Sequence, residues 1–145
     1  MSGVFITFEG SEGSGKSTQI ALSAEYLKSI GKDVVVIREP GGAAISEAVR
    51  DILLDVKNTE MNQECEVLLY MAARAQLTGQ VILPALRDGK AVLCDRFLDS
   101  TLVYQGYGHQ MDMEPIRRIG LFAAHGLNPD LTLLFDIDTE EGLRR

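Results

Sequence analysis

The feature that most constrains this chain is a glycine-rich octapeptide near its beginning. Residues 10–17 read Gly-Ser-Glu-Gly-Ser-Gly-Lys-Ser and fill every position of the pattern G-x-x-x-x-G-K-[ST]. The apolar run Val4–Phe8 precedes the octapeptide, and apolar residues at helical spacing follow it, at Ile20, Ala24 and Leu27. Such a turn points backbone N–H groups at a phosphate, and the start of the helix favours the same anion. The octapeptide therefore predicts a phosphate-binding loop.

The residue types of this loop also predict a metal and a donor nucleotide. Lys16 neutralises the β- and γ-phosphates, and the Ser17 hydroxyl is a ligand for Mg²⁺. Asp95 and Asp136 each directly follow an apolar segment, and either could supply the acid on the metal side of an ATP site. The sequence has no Asn-Lys-x-Asp segment of the kind that reads guanine, so the cofactor prediction is Mg²⁺ with ATP as phosphoryl donor. The predicted ATP phosphate-binding residues are Gly10, Ser11, Glu12, Gly13, Ser14, Gly15, Lys16, Ser17 and Thr18; the predicted metal ligands are Ser17 and Asp95.

Apolar runs alternate with helical periodicity along the chain. The four runs that predict buried strands are Val4–Phe8, Val34–Ile37, Ala91–Cys94 and Leu131–Phe135. A long helix with Asn62 as its N-terminal cap is predicted over Asn62–Arg87, and a glycine-bearing loop around Gly106–Gly108. The alternation predicts the α/β class, a parallel sheet of about four strands with helices on both faces, as in the P-loop NTPase fold. We expect residues 1–145 to form a single domain with ligands at the carboxyl ends of the strands.

Charge and cysteine content exclude several partner classes. The formal net charge is −7, so bulk electrostatics disfavours binding to nucleic acid or to an anionic membrane. No apolar run reaches the roughly 20 residues of a membrane span. Cys65 and Cys94 form neither a disulfide framework nor a zinc pattern, which predicts buried thiols in a reducing cytoplasm. His109 and His125 have no partner pattern for metal or acid–base chemistry, and we interpret them as loop and helix-end residues.

Three further segments carry a resemblance to a known family. Residues 95–105 read Asp-Arg-Phe-Leu-Asp-Ser-Thr-Leu-Val-Tyr-Gln, residues 38–42 read Arg-Glu-Pro-Gly-Gly, and residues 69–76 read Leu-Tyr-Met-Ala-Ala-Arg-Ala-Gln. Together with the phosphate loop, these motifs resemble the bacterial thymidylate kinases, P-loop nucleoside monophosphate kinases, over nearly the whole chain. The resemblance implies transfer of the ATP γ-phosphoryl group to dTMP, giving dTDP for dTTP biosynthesis, by a cytoplasmic homodimer.

The resemblance also implies a binding site for dTMP. Tyr70 and Arg74 share one helix face; the aromatic ring would stack on thymine and the guanidinium would bond an exocyclic oxygen. The alternative is core packing for Tyr70 and a solvated Arg74. Thr101 and Gln105, also four residues apart, can reach the remaining base edge. The full implied set for dTMP is Glu12, Arg38, Pro40, Arg50, Tyr70, Arg74, Arg96, Ser100, Thr101, Tyr104 and Gln105.

The sugar and the phosphates have implied partners of their own. Glu12 would accept a hydrogen bond from the 3′-hydroxyl, although a carboxylate in an anion-binding loop can equally be a solvated acid. Tyr104 would pack against C2′. Arg96 and Arg50 would clamp the acceptor phosphate. Arg38 would either clamp it or organise the turn at Pro40, and a surface ion pair remains the alternative for Arg50.

Lys16, Arg96 and Glu12 are the implied catalytic residues. The acceptor is already an oxyanion, so the reaction needs positioning and charge stabilisation, not a general base. The variable positions of this loop carry no basic residue, and relatives of that kind supply an arginine from a lid after the fourth strand. The lid would begin near residues 142–145, so we expect the chain to be the N-terminal portion of such an enzyme.

Three functions are therefore open at this point. The first is a thymidylate kinase or part of one. The second is a kinase for another mononucleotide, which the motifs around Tyr70 and Gln105 disfavour. The third is a nucleotide-binding fragment without turnover, which Glu12 and the incomplete lid favour.

Overall fold

The computed structural model describes residues 3–144, without the side chains of Thr139 and Leu143. The strands are β1 (Val4–Gly10), β2 (Val34–Arg38), β3 (Ala91–Asp95) and β4 (Leu131–Phe135). The α-helices are α1 (Lys16–Ser29), α2 (Ala44–Leu54), α3 (Gln63–Leu77), α4 (Leu83–Arg87), α5 (Leu98–Thr101), α6 (Met113–Ala123) and α7 (Thr139–Arg144). Over residues 3–144, none of the helices combines the length and the apolar character needed to cross a bilayer.

The chain is divided into two compact units. The first contains the chain up to Arg38, the segment Ala85–Phe97 and the chain from Pro129 onward, and it includes all four strands. The second contains Glu39–Pro84 and Leu98–Asn128, and is helical. The expectation of one domain over residues 1–145 stays a prediction.

The sheet of the first unit is parallel throughout, in the order β2-β3-β1-β4. The four predicted strands are confirmed, and three of them extend one or two residues further than the apolar runs. In the register of the sheet, Asp95 lies opposite both Phe8 and Arg38, while Gly10 lies opposite Phe135. The phosphate loop therefore begins at the carboxyl ends of the strands, and Arg38 and Asp95 lie at the same edge of the sheet.

A buried apolar cluster joins α1 to this sheet. Phe8, Ile20, Ala24 and Leu93 are at most 6% exposed, and the ring of Phe8 stacks on Phe135 with centroids 5.9 Å apart. Ile20 and Ala24 are four residues apart, so both project from one face of α1 onto the strands. This packing fixes the start of α1, and with it the lysine of the phosphate loop, against the end of β1.

The second unit is built around α3. The Asn62 side chain caps this helix as predicted, accepting a hydrogen bond from Cys65 N at 2.8 Å. Val67 and Met71 of α3 pack with Ile116 and Ala123 of α6 in a buried cluster. On α2, the hydroxyl of the fully buried Ser46 donates to the Ala73 carbonyl at 2.8 Å. α3 is thus held by apolar packing against α6 and by a buried polar contact with α2.

The long helix predicted over residues 62–87 is confirmed, since the chain is helical without a break from Gln63 to Arg87, but it contains a π-helical turn at Thr78–Ile82 that was not predicted. Pro84 accounts for this turn, because its ring removes one N–H and crowds the carbonyl four residues earlier. One helical prediction needs correction. The loop expected around Gly106–Gly108 is partly helical, with a π-helical turn at Leu102–Tyr107. Gly106 is buried there, and a Cβ on it would collide with the Met113 sulfur.

The cap of α3 gives a test of how firmly this helix is held. Asn62→Ala removes the acceptor for the Cys65 N–H, and we expect it to lower the free energy of unfolding by about 1 kcal/mol. Asn62→Asp keeps a side-chain oxygen at the cap and should retain most of that stability. Urea unfolding followed by circular dichroism measures both changes; an equal loss in the two variants would contradict the capping role.

Candidate functional site

The phosphate loop adopts a backbone that depends on its glycines. Gly10, Gly13 and Gly15 have φ values of 143°, 72° and 91°, in the region that side chains with a Cβ disfavour. Gly15 has open space where a Cβ would lie, whereas at Gly13 a Cβ would collide with the Gly142 carbonyl of α7. The loop borders a pocket of about 430 Å³. Its lining residues are Glu12, Gly13, Ser14, Gly15, Lys16, Ser17, Thr18, Asp95 and Arg96.

Lys16 is buried at the start of α1 and is held by the loop itself. Its Nζ donates to the carbonyls of Gly10 and Ser11 at 2.9 and 2.7 Å, and more weakly to Ser14 Oγ at 3.4 Å. Burial lowers the pKa of the ammonium below its ordinary value, and repulsion from Arg96 lowers it further. Nearby carboxylates oppose that shift. The loop therefore positions a desolvated cation beside the pocket.

The turn after β3 is fixed by contacts with β1. Arg96 has a φ of 68°, and its N–H donates to the Phe8 carbonyl at 3.0 Å. The next amide, Phe97 N, donates to Glu9 Oε1 at 2.7 Å, and Glu9 is itself 5% exposed. No role was predicted for Glu9; the available signal was an acid between the apolar run Val4–Phe8 and the phosphate loop. These bonds hold Arg96 at the mouth of the same pocket as Lys16.

Asp95 and Ser17 fit the predicted magnesium site. Within residues 3–144, Asp95 Oδ1 is buried and has no hydrogen-bond partner, so a carboxylate oxygen is left for an additional ligand. Ser17 is exposed and lines the same pocket. Hydroxyl and carboxylate oxygens, with phosphate oxygens and water, are the ligands Mg²⁺ prefers. In the described part of the chain, no group of three or more His, Cys, Asp or Glu side chains makes an all-protein metal site.

The remaining predicted residues of the first unit lie around this edge of the sheet. Glu12 is exposed in the pocket lining, and Arg38 is exposed at the end of β2. The segment where a lid was expected to begin forms α7, whose Arg144 lies 3.6 Å from Glu140. The last residue of that predicted segment, Arg145, lies outside the described residues.

Arg74 is the centre of the candidate site in the second unit. It is 1% exposed, and its Nε and Nη2 reach Glu39 Oε2 at 2.8 and 2.6 Å. Nη2 also donates to Thr101 Oγ1 at 3.0 Å, and Nη1 contacts the Met71 sulfur at 3.3 Å. The alternative of a solvated Arg74 is therefore wrong. Glu39 was not predicted as its partner, although it lies in the Arg-Glu-Pro-Gly-Gly motif of residues 38–42.

The predicted base-binding residues surround this arginine within the second unit. Tyr70 is half-buried one turn before Arg74 on α3. Thr101 and Gln105 are both buried, and Gln105 Nε2 donates to Glu66 Oε1 at 2.8 Å. Glu66, Tyr70 and Arg74 follow one another at four-residue spacing and so share one face of α3. A guanidinium, an aromatic ring, a hydroxyl and an amide are thus arranged in one group.

A second arginine is anchored at the turn after β2. Arg50 Nη1 donates to the Pro40 carbonyl at 2.8 Å, and the Gly42 N–H donates to Glu47 Oε1 at 2.6 Å. Both contacts connect α2 to the glycine turn. Arg50 lies in no ion pair within residues 3–144, so the surface-pair alternative is not supported. Ser100 is half-buried and Tyr104 is 46% exposed, so both present accessible surface.

The predicted site residues therefore form two groups. The group in the first unit comprises Gly10, Ser11, Glu12, Gly13, Ser14, Gly15, Lys16, Ser17, Thr18, Arg38, Asp95 and Arg96. The group in the second unit comprises Pro40, Arg50, Tyr70, Arg74, Ser100, Thr101, Tyr104 and Gln105. The first group contains loop amides, cations and oxygen ligands, which can bind a polyphosphate and a metal ion. The second contains aromatic rings and hydrogen-bonding side chains, which can bind a planar heterocycle.

Comparison with known proteins shows the family to which the chain belongs. The sequence model of the family described as thymidylate kinase matches residues 8–145. This chain belongs to the thymidylate kinase family. A thymidylate kinase of Exiguobacterium sp. is 52% identical over 145 residues, covering 100% of this chain and 68% of the relative. A thymidylate kinase of Pelobacter propionicus is 54% identical over 143 residues, covering 99% of this chain and 65% of the relative.

A solved structure extends the similarity to the fold. The crystal structure of thymidylate kinase from Ehrlichia chaffeensis matches with a TM-score of 0.89 and 40% identity, covering 99% of this chain and 82% of that one. The predicted α/β class, a parallel sheet flanked by helices in a P-loop fold, is confirmed. The thymidylate kinase family is a family of phosphotransferase enzymes, and this chain spans about two thirds of the length of the curated relatives just named.

The geometry of the loop gives a direct test of triphosphate binding. Lys16→Ala removes the buried ammonium while leaving the loop glycines in place, and we expect ATP binding to fall at least about tenfold. Lys28→Ala, in the exposed last turn of the same helix, is the matched control and should bind ATP as the unsubstituted chain does. Calorimetric titration compares the three; equal affinity for ATP in all of them would contradict the role of Lys16.

The buried ion pair of the second unit gives a test of its architecture. Arg74→Ala leaves the Glu39 carboxylate buried without the guanidinium, and we expect the free energy of unfolding to fall by about 3 kcal/mol. Arg117→Ala, on the exposed face of α6, is the control and should change stability little. Urea unfolding measures both. A loss for Arg74→Ala no larger than that of the control would show that the pair does not support the fold.

Proposed function

We propose that this chain binds ATP and dTMP and carries the parts of a thymidylate kinase that transfer the γ-phosphoryl group to dTMP, giving dTDP. The observation that carries the proposal is the group formed by Tyr70, Arg74, Thr101 and Gln105. A phosphate loop alone is shared by many nucleotide-binding proteins, whereas an aromatic ring, a guanidinium, a hydroxyl and an amide can together stack on a pyrimidine and form hydrogen bonds with it. Family membership makes thymine the specific base.

The first unit supplies the triphosphate site in this proposal. The amides of the phosphate loop and Lys16 bind the phosphate oxygens, while Arg96 lies beside the same pocket. Ser17 and Asp95 would hold Mg²⁺, which would neutralise part of the phosphate charge. Since the acceptor phosphate is already an oxyanion, these residues act by positioning and by stabilising charge on the transferred group.

The second unit supplies the base site. Tyr70 stacks on thymine, and the Arg74 guanidinium donates to an exocyclic oxygen while Glu39 and Thr101 hold its plane. A planar donor fixed on two sides loses little conformational freedom on binding, so the interaction favours one base orientation. Tyr104 packs against the sugar, and Glu12 accepts from the 3′-hydroxyl. Arg38, Arg50 and Arg96, with Ser100 and the Pro40 turn, contact the acceptor phosphate.

Two finer points belong to the same proposal. We expect a homodimer in a cytoplasmic setting, for which the family resemblance is the main support. The two free cysteines are consistent with a reducing compartment, although Cys65 is exposed and not buried as predicted.

Calorimetric titration with a nucleotide series tests the proposal. We expect dTMP to bind the chain about tenfold or more tightly than dCMP, dGMP or ribothymidine monophosphate, a difference of roughly 1.4 kcal/mol or more. dUMP, which lacks only the thymine methyl group, should bind measurably but less tightly. Equal binding of all five nucleotides would overturn thymine recognition and favour a general nucleotide-binding module.

A second measurement separates catalysis from binding. The chain is incubated with ATP, Mg²⁺ and dTMP, and ADP release is followed by a coupled assay with Lys16→Ala as the inactive control. dTMP-dependent ADP release supports phosphoryl transfer by these residues. Selective dTMP binding without ADP release supports the alternative of a nucleotide-binding fragment without turnover.

A further inference from the structure

Glu66 contacts the base-binding group but belongs to none of the predicted sites. Its carboxylate lies between two side chains of the second unit, with Oε1 2.8 Å from Gln105 Nε2 and Oε2 3.3 Å from His109 Nε2. Gln105 is 6% exposed, while Glu66 is half-buried with 26% of its side chain exposed. His109 lies in a turn, as interpreted from the sequence, and it shares the Glu66 carboxylate with Gln105.

The chemistry of this contact determines how the Gln105 amide is oriented. An ionised carboxylate only accepts hydrogen bonds, whereas a glutamine amide has a donor end and an acceptor end. A reversed amide would place two acceptor oxygens 2.8 Å apart, which is unfavourable. Gln105 must therefore present its NH₂ group to Glu66 and its Oε1 elsewhere. Within residues 3–144, no donor is hydrogen-bonded to that Oε1.

The contact with Arg74 constrains the Thr101 hydroxyl as the contact with Glu66 constrains the Gln105 amide. It is buried, and its Oγ1 receives a hydrogen bond from Arg74 Nη2 at 3.0 Å. A guanidinium only donates, so Thr101 acts as the acceptor in this contact and its hydroxyl hydrogen is directed away from Arg74. Glu66 thus fixes which end of the Gln105 amide is left to accept a hydrogen bond. Arg74 likewise fixes the side on which the Thr101 hydroxyl can donate.

We propose that Glu66 is a positioning residue that makes Gln105 present an acceptor to the base and so selects bases with a ring N–H over bases with a bare ring nitrogen. The inference rests on the proposed function, in which Gln105 contacts the base edge. Thymine and uracil carry an N–H at N3, whereas N3 of cytosine is an acceptor at neutral pH. An acceptor on Gln105 therefore favours dTMP and dUMP and opposes dCMP. Selectivity of this kind comes from a buried polar group that the wrong ligand leaves unpaired.

The substitution Glu66→Gln tests this role with little change in size. A glutamine at this position can donate to Gln105 as well as accept from it, so the Gln105 amide is free to adopt either orientation. We expect the ratio of dCMP to dTMP dissociation constants to fall about tenfold relative to the unsubstituted chain, with dTMP weakened and dCMP strengthened. His109→Gln is the matched control: it removes the other contact of the carboxylate and should leave the ratio within about twofold.

The possible results distinguish this inference from the proposed function. If the unsubstituted chain does not prefer dTMP to dCMP, the proposed function fails and the role of Glu66 fails with it. If the unsubstituted chain prefers dTMP and Glu66→Gln keeps the same ratio, only the role of Glu66 is overturned. A lower affinity for every nucleotide with an unchanged ratio indicates a merely structural contact and also overturns it.

A second measurement needs no substitution and covers the case in which Glu66→Gln does not fold, as judged by circular dichroism. The unsubstituted chain is titrated with dTMP and with N3-methyl-dTMP, which has no hydrogen to donate at N3. We expect the methylated nucleotide to bind at least about tenfold more weakly. Equal binding of the two nucleotides would show that no acceptor faces N3, and would overturn the assignment of the Gln105 orientation to Glu66.

Discussion

The buried ion pair between Arg74 and Glu39 is the interaction on which the base-binding half of the molecule depends. Removing two charges from water is costly, and a buried pair is tolerated only when further hydrogen bonds satisfy its remaining donors. Thr101 and the Met71 sulfur provide such contacts, so one guanidinium connects α3 to the segment after β2 and to α5. The residues proposed to bind the base are consequently held by the same contacts that hold the second unit together, so the proposal couples selectivity to stability at Arg74.

The phosphate site follows the opposite principle, because its buried charge is satisfied by backbone and not by a single carboxylate. Lys16 is held by the carbonyls of Gly10 and Ser11, which lower the cost of burial without neutralising the ammonium. A full ion pair would compete with an incoming phosphate, whereas carbonyl dipoles leave a net positive charge. The lowered pKa of Lys16 reflects this balance, since burial and Arg96 outweigh the surrounding carboxylates. The cation is thus stable in the fold and still attractive to an anion.

The sequence predicted the features that depend on residues close together in the chain. The strands, the phosphate loop and the Asn62 cap depend on residues close together in the chain, and all were predicted. The partners of the site residues were not, because Glu39 is 35 residues from Arg74, Glu66 is 39 residues from Gln105 and Glu9 is 88 residues from Phe97. Spacing along one helix reveals which side chains share a face, but only the fold reveals which acid is brought to that face. The π-helical turn before Pro84 was missed because apolar periodicity continues through it.

Three acids that sequence reasoning overlooked share a task. Glu9 holds the turn that carries Arg96, Glu39 holds Arg74, and Glu66 holds Gln105. The net charge of −7 opposes the binding of polyanions that we propose for this chain. Each of these carboxylates, however, accepts a hydrogen bond from a backbone or side-chain donor, so its charge is partly offset while the donor group gains a fixed orientation. Such acids orient the donors of the site and add less repulsion than free carboxylates would, so an acidic composition is compatible with the two proposed nucleotide sites.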